Sequence, residues 1–155
     1  MVSNIWKGII TEEDYRNTLS FVDHLLEDIY KKKHLPDYQQ TLDSADNSEP
    51  NNIIDNEIKL VSDKELYLRD LKKELEIEKI EIKLTLVIKP NTIIKQKIGD
   101  WIKNILGEKV VAVIDIDPDI IGGARISYKG NYYDGTLRRK INDWLINKNI
   151  LAYGR

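Results

Sequence analysis

The chain has 155 residues, 41% apolar and 32% charged, with 24 Lys+Arg, 26 Asp+Glu and a net charge of −2. That balance fits one or two small globular domains with room for a sizeable core. With no cysteine, disulfides and thiolate metal sites are excluded, and no apolar run reaches the ~18–20 residues of a membrane span.

The cysteine count also fits a reducing compartment. The opening MVSNIWKGIITEEDY lacks a basic n-region followed by an apolar h-region, so a secretory signal is not expected. The small net charge hides an asymmetry. Residues 1–78 hold 10 Lys+Arg against 18 Asp+Glu, whereas residues 79–155 hold 14 against 8. Such an acidic half and basic half fit either two modules with different partners or mutual neutralisation within one molecule.

In chain order, residues 11–33 are expected to form a helix. Thr11 is the candidate N-cap with Asp14 three residues on, and Ile10 and Tyr15 occupy the places of a hydrophobic staple. Tyr15, Leu19, Val22, Leu26 and Ile29 recur at three- to four-residue spacing. Lys31, Lys32 and Lys33 then suit the C-terminal end of the helix dipole. Residues 36–57 are rich in Pro, Asn, Ser, Asp and Gln without periodicity, which predicts a polar linker reaching residue 61. Ser62 and Glu65 form a capping-box pattern, and the helix that follows over 62–77 turns Leu68, Leu71 and Leu75 inward.

Elements then alternate more tightly. Ile80, Ile82, Leu84, Leu86 and Ile88 occur at every second position, the signature of a strand with one buried face, and Pro90 ends it. Residues 92–106 predict a helix with Ile94, Ile98, Trp101, Ile102 and Ile105 on one face and Gly107 at its end. A second strand over 110–117 and a third around Ala124–Tyr128 follow. Lys129-Gly130-Asn131-Tyr132 is a candidate hairpin turn into a very short return strand at Tyr132-Tyr133. Thr136 caps a last helix bearing Leu137, Ile141, Trp144 and Leu145. The fold class expected is α+β. An N-terminal helical segment (1–35), a linker (36–61) and a helix (62–77) precede a two-layer β-α-β-β-(β)-α domain over 78–155.

The stretch DIDPDIIGGARISYKGNYYDGTLRRKI (115–141) holds the residues most open to a chemical role. Asp115, Asp117 and Asp119 match the first acids of a calcium-binding loop. Its sixth place, however, needs Gly and its twelfth Glu, where this chain has Ile120 and Ile126. Gly122-Gly123 lacks the spacing of either a P-loop or a dinucleotide fingerprint, and a strand follows it. Positive φ or close backbone approach is the simpler role for the pair. No Ser sits in a nucleophile elbow with a His base, and His24 and His34 have no zinc-type spacing. No catalytic residue, metal site or cofactor is therefore expected. Arg138-Arg139-Lys140 in the basic half offers RNA as an alternative ligand, against which stand the missing GXXG clamp and the missing sheet aromatics in an RNP pattern. A protein-binding module is the default.

The run VVAVIDIDPDIIGGARISYKGNYYDGTLRRKINDWL resembles the C-terminal domain of the delta subunit of F-type ATP synthases, whose mitochondrial counterpart is the oligomycin-sensitivity-conferring protein. The matching positions are Asp117-Pro118, Ile121-Gly122-Gly123, Gly130 and Asp134-Gly135-Thr136-Leu137, and the resemblance spans about residues 78–147. It implies a non-catalytic peripheral-stalk subunit on the cytoplasmic face of the membrane, peripheral and without insertion. By resemblance, the partners are b-subunit helices and, where the alpha-binding region is kept, N-terminal segments of alpha subunits, with no small-molecule substrate; RNA stays the alternative ligand. The family's six-helix N-terminal bundle is longer than residues 1–78 allow, so a shortened N-terminal region is expected: either the alpha-binding domain is reduced or another subunit supplies that contact.

Overall fold

The structure is a computed structural model and describes residues 3–31, 49–77 and 79–147. Its elements are helices α1 (Ser3–Gly8), α2 (Glu12–Lys31), α3 (Glu49–Leu60) and α4 (Lys64–Ile77), strand β1 (Ile80–Leu86), helix α5 (Thr92–Leu106), strands β2 (Val110–Ile116), β3 (Ala124–Tyr128) and β4 (Asn131–Asp134), and helix α6 (Leu137–Asn147). The chain divides into two compact units, residues 1–80 with 96–111 and residues 81–95 with 112–155. His34, Lys32, Lys33 and residues 36–48 of the expected linker lie outside the described residues.

The first unit is a helical assembly. α2 starts where the capping box places it: Asp14 Oδ2 accepts the Thr11 N–H at 2.8 Å and the Asp14 N–H reaches Thr11 Oγ1 at 3.3 Å. α2 packs on α4. Between them lie Val22, Leu25, Leu68, Leu71 and Leu75, all fully buried, and the buried Tyr15 hydroxyl donates to the Leu75 carbonyl at 3.1 Å. Trp6 stacks on Tyr15 with ring centroids 6.3 Å apart.

Three features of this unit depart from the sequence reading. Residues 3–8, given no element above, form α1, whose Ile5 and Trp6 enter the core. The polar linker fails over Glu49–Leu60, which is helical because Ile54 and Ile58 lie on one face and are fully buried. Pro50 is tolerated there because the first helical turn needs no donor. Thirdly, the cap of α4 is Asp63, not Ser62: the Leu66 N–H donates to Asp63 Oδ1 at 3.0 Å. A carboxylate at the positive end of a helix accepts this bond well.

The second unit is built around the sheet, ordered β2-β1-β3-β4. β1 and β2 run parallel. The Ile80 N–H donates to Lys109 O at their first ends, and the Asp117 N–H to Leu86 O at their last. α5 is the crossover that such a pair requires. β3 pairs antiparallel with β1, Leu84 opposite Ile126, and β4 pairs antiparallel with β3, Tyr133 opposite Ile126. The expected α+β order is therefore present, and the short return strand is real. β1 stops at Leu86, leaving Ile88 exposed, and only Ile82 and Leu84 of its alternating set are buried. The hairpin turn is Tyr128–Asn131, one residue earlier than expected. Lys129 (φ 47°) and Gly130 (φ 79°) are its central residues, the double positive φ of a type I′ turn.

Candidate docking surface

The residues singled out in the 115–141 stretch come together in the second unit. Asp117 closes a turn around Pro118, its carbonyl accepting the Ile120 N–H at 3.2 Å. Its side chain accepts the Asp119 N–H at 3.0 Å through one oxygen and Arg125 Nη1 at 2.8 Å through the other. Arg125 Nε also lies 3.9 Å from Asp134 Oδ2, so one guanidinium ties both acidic turn residues to β3. Asp115 is engaged separately, with Lys83 Nζ at 2.7 Å. Two of the three carboxylates that alternate in sequence, Asp115 and Asp117, thus serve two different cations.

The glycines answer to geometry. Gly123 has φ +83°, and a Cβ there would stand 2.4 Å from the Gly135 carbonyl oxygen and 3.0 Å from Thr136 Cα. Gly122 (φ +65°) offers its carbonyl to the Leu137 N–H at 3.1 Å, taking up one of the free donors at the start of α6. The Gly135 N–H donates to Ala124 O at 2.9 Å. Gly130 has open space beside it and serves its turn through φ alone. Neither glycine of the 122–123 pair opens a helix, so the two form a backbone crossing.

This crossing fixes where α6 begins. Asp134 Oδ1 accepts the Thr136 N–H at 2.9 Å, and Thr136 Oγ1 accepts the Arg139 N–H at 3.4 Å. Hydrogen bonds from Thr136 hold the Asp134 carboxyl below its ordinary pKa, with Arg125 and Arg139 adding to the effect. Arg139 also donates to the Asp134 carbonyl at 3.5 Å and meets Asp143 at 3.7 Å.

What this base supports is an apolar surface. Leu137, Ile141 and Trp144, spaced i, i+4, i+7, are 46%, 44% and 55% exposed. Ile121, Tyr132 and Tyr133 are exposed too, while Ile120 beside Ile121 is buried. The stripe on α6 therefore faces solvent rather than a core. Soluble proteins rarely leave such stripes uncovered, and covered partners are the usual reason for them. α5 repeats the pattern: of its predicted apolar face only Ile102 is buried, while Ile94, Trp101 and Ile105 are exposed. Sequence reasoning found both stripes and missed their direction. The available signal was that α5 carries more apolar residues than one packed side can cover.

A shallow dent in the first unit, lined by Asp70, Lys73, Glu74, Ile77 and Lys109, mixes both charges and brings no nucleophile to a base. No described helix is long and apolar enough to cross a membrane.

Comparison with known proteins gives one finding. Residues 53–145 match the family model described as the ATP synthase delta (OSCP) subunit. No curated protein matches the chain.

Proposed function

We propose, from the premise that this chain belongs to the ATP synthase delta (OSCP) subunit family, a mechanical role for the surface just described. Membership makes the chain a structural subunit of the F-type ATP synthase peripheral stalk, associated peripherally with a membrane-bound complex. In our reading it joins the catalytic head to the b-subunit helices on the cytoplasmic side of the membrane. There it resists rotor torque during proton-driven ATP synthesis. It has no substrate of its own and does not insert into the bilayer.

The observation that carries this reading is the solvent-facing stripe Leu137–Ile141–Trp144 on a helix whose start is locked by Gly122, Asp134 and Thr136. A stalk joint needs no reacting group. It needs an apolar anchor in a fixed direction, and an amphipathic helix lying on such a stripe is a recurring mode of recognition. Contact with N-terminal segments of the alpha subunits is assigned to the first unit. The 78–155 segment, although its first strand and crossover are shared between the compact units, is the part assigned to the stalk.

Tagged protein should co-purify with the b and alpha subunits of an intact synthase, and Trp144→Asp should remove the b subunit. Retention of b by that variant would sink the reading. RNA remains the competing ligand for the basic half. Salt-dependent RNA binding that falls when Arg138 and Arg139 are reversed in charge would favour it.

A further inference from the structure

Asp134-Gly135 is the single Asp-Gly pair in the chain, which has no Asn-Gly pair. Glycine brings no side chain to shield its nitrogen, so this is the aspartyl pair most prone to rearrange near neutral pH. In that rearrangement the Gly135 nitrogen attacks Cγ of Asp134. The N–Cγ bond forms as the nitrogen gives up its proton, the Cγ–OH bond breaks, and water leaves. The five-membered succinimide then takes up water at either of its carbonyls. Opening at Cγ restores aspartate. Opening at the main-chain carbonyl gives isoaspartate, whose backbone runs through the former side chain and is one carbon longer. Mass is unchanged overall, and no oxidant or cofactor takes part.

The fold demands this pair and also restrains it. A Cβ on Gly135 would stand 3.0 Å from Tyr133 Cε1 and 3.2 Å from the Ala124 carbonyl oxygen, so a side chain there crowds the hairpin. Asp134 is needed because its Oδ1 accepts the Thr136 N–H at 2.9 Å. Each partner in the ring closure is held by a hydrogen bond. The Gly135 N–H donates to Ala124 O at 2.9 Å, which retains the proton that attack must remove. Thr136 anchors the carboxyl whose carbon must move onto that nitrogen. Hydrogen bonds from Thr136 also hold the Asp134 pKa down, so the acid form that sheds water is scarce. The Leu137 N–H, on Gly122 O at 3.1 Å, fixes the chain just beyond. Asp134 and Gly135 are only half-buried, so water reaches them once these bonds open.

We infer that Asp134-Gly135 is a modification site gated by the joint between β4 and α6. The closed joint protects the pair, the open joint lets isoaspartate form, and the product then keeps the joint from closing. The last step follows from the backbone crossing. At Gly123 even a Cβ would lie 2.4 Å from the Gly135 carbonyl oxygen, so a lengthened backbone has no room there. The extra carbon also ends the pairing of Arg125 with Asp134 in register. The joint is thus a latch that fails in one direction. It sits at the base of α6 and works whatever lies along the helix's stripe.

The test incubates the full chain at neutral pH, native and in urea, and follows isoaspartate by enzymatic methylation. Fragment-ion mass spectrometry places it at 134. Formation should be roughly tenfold or more slower in the native chain, because a reaction through a rare open state scales with that state's population. Gly123→Ala, which forces the crossing apart, should speed formation in native buffer. Arg125→Gln should do so too, since it removes the cation 3.9 Å from Asp134 Oδ2 and leaves the crossing itself intact. That second variant decides the matter where the first does not fold. Chain carrying isoaspartate at 134, separated and returned to native buffer, should exchange the Gly135, Thr136 and Leu137 amides faster than unmodified chain. Matching rates in native buffer and urea overturn the inference, as does an Arg125→Gln rate equal to that of the unaltered chain. Native-like exchange at the three amides of the isomerised chain overturns the one-way latch.

Discussion

A Cβ added to Gly123 would lie 2.4 Å from the carbonyl oxygen of Gly135, closer than two such atoms can approach. Two glycines separated by a whole hairpin are therefore one structural feature. Their crossing brings the turn after β2 against the start of α6, and the direction of the docking stripe depends on it. Gly123→Val should destabilise the protein by roughly 3 kcal/mol or more, since it adds a backbone clash to a positive φ. Gly130→Ala, at a positive φ with open space, should cost about 1 kcal/mol. Urea denaturation of the two variants checks the ordering, and equal losses would contradict it.

Two candidate caps precede α4, and they make opposite predictions. Asp63→Ala should cost about 1 kcal/mol by leaving the Leu66 N–H without its acceptor. Ser62→Ala should change stability by less than about 0.5 kcal/mol, the usual size for a surface site. Thermal unfolding of both variants decides which residue ends the turn before α4.

Tyr15 ties the start of α2 to the end of α4 through its bond to the Leu75 carbonyl. Removing the hydroxyl in Tyr15→Phe should cost about 1 kcal/mol, the net worth of one such bond plus its unpaired acceptor. Leu75→Ala should cost about 2–5 kcal/mol, because a fully buried leucine leaves a cavity. A Tyr15→Phe loss as large as that of Leu75→Ala would mean the hydroxyl holds more than this one carbonyl.

Asp134 gives the protein an acid-sensitive contact. Its pKa is lowered in the folded state, first by hydrogen bonds from Thr136. The unfolded chain therefore binds the proton more readily, and the contribution is present above the ordinary carboxylate pKa. It is lost as pH falls through the lowered folded value. Asp134→Asn should thus flatten the acid limb of the stability curve below about pH 4. An unchanged acid limb in the variant would remove Asp134 from that role.

The caps and periodicities were legible in the chain because they are local. Thr11 and Asp14, Leu68 with Leu71 and Leu75, the bounds of α5 and the Thr136 cap each depend on neighbours within about one helical turn. The order of motif residues from Asp117 to Leu137 was legible for the same reason, since each marks a turn or a cap. The helix over Glu49–Leu60 was not, because Asn, Asp and Pro lower its propensity and only the burial of Ile54 and Ile58 against distant helices overrides that.

Sequence by itself therefore determined which segments form helices and strands in the second half, and which residues make the turns between them. Tertiary structure alone decided which apolar stripes are core and which are surface. The stripe on α4 and the stripe on α6 share the same spacing, yet Leu71 is fully buried and Ile141 is 44% exposed. Periodicity reports that a helix has an apolar side. Whether that side meets another part of the same chain or awaits a partner depends on atoms far away in sequence: Gly99 on α5 must be bare because Ile10 lies against it, while Asn142 on α6 is exposed.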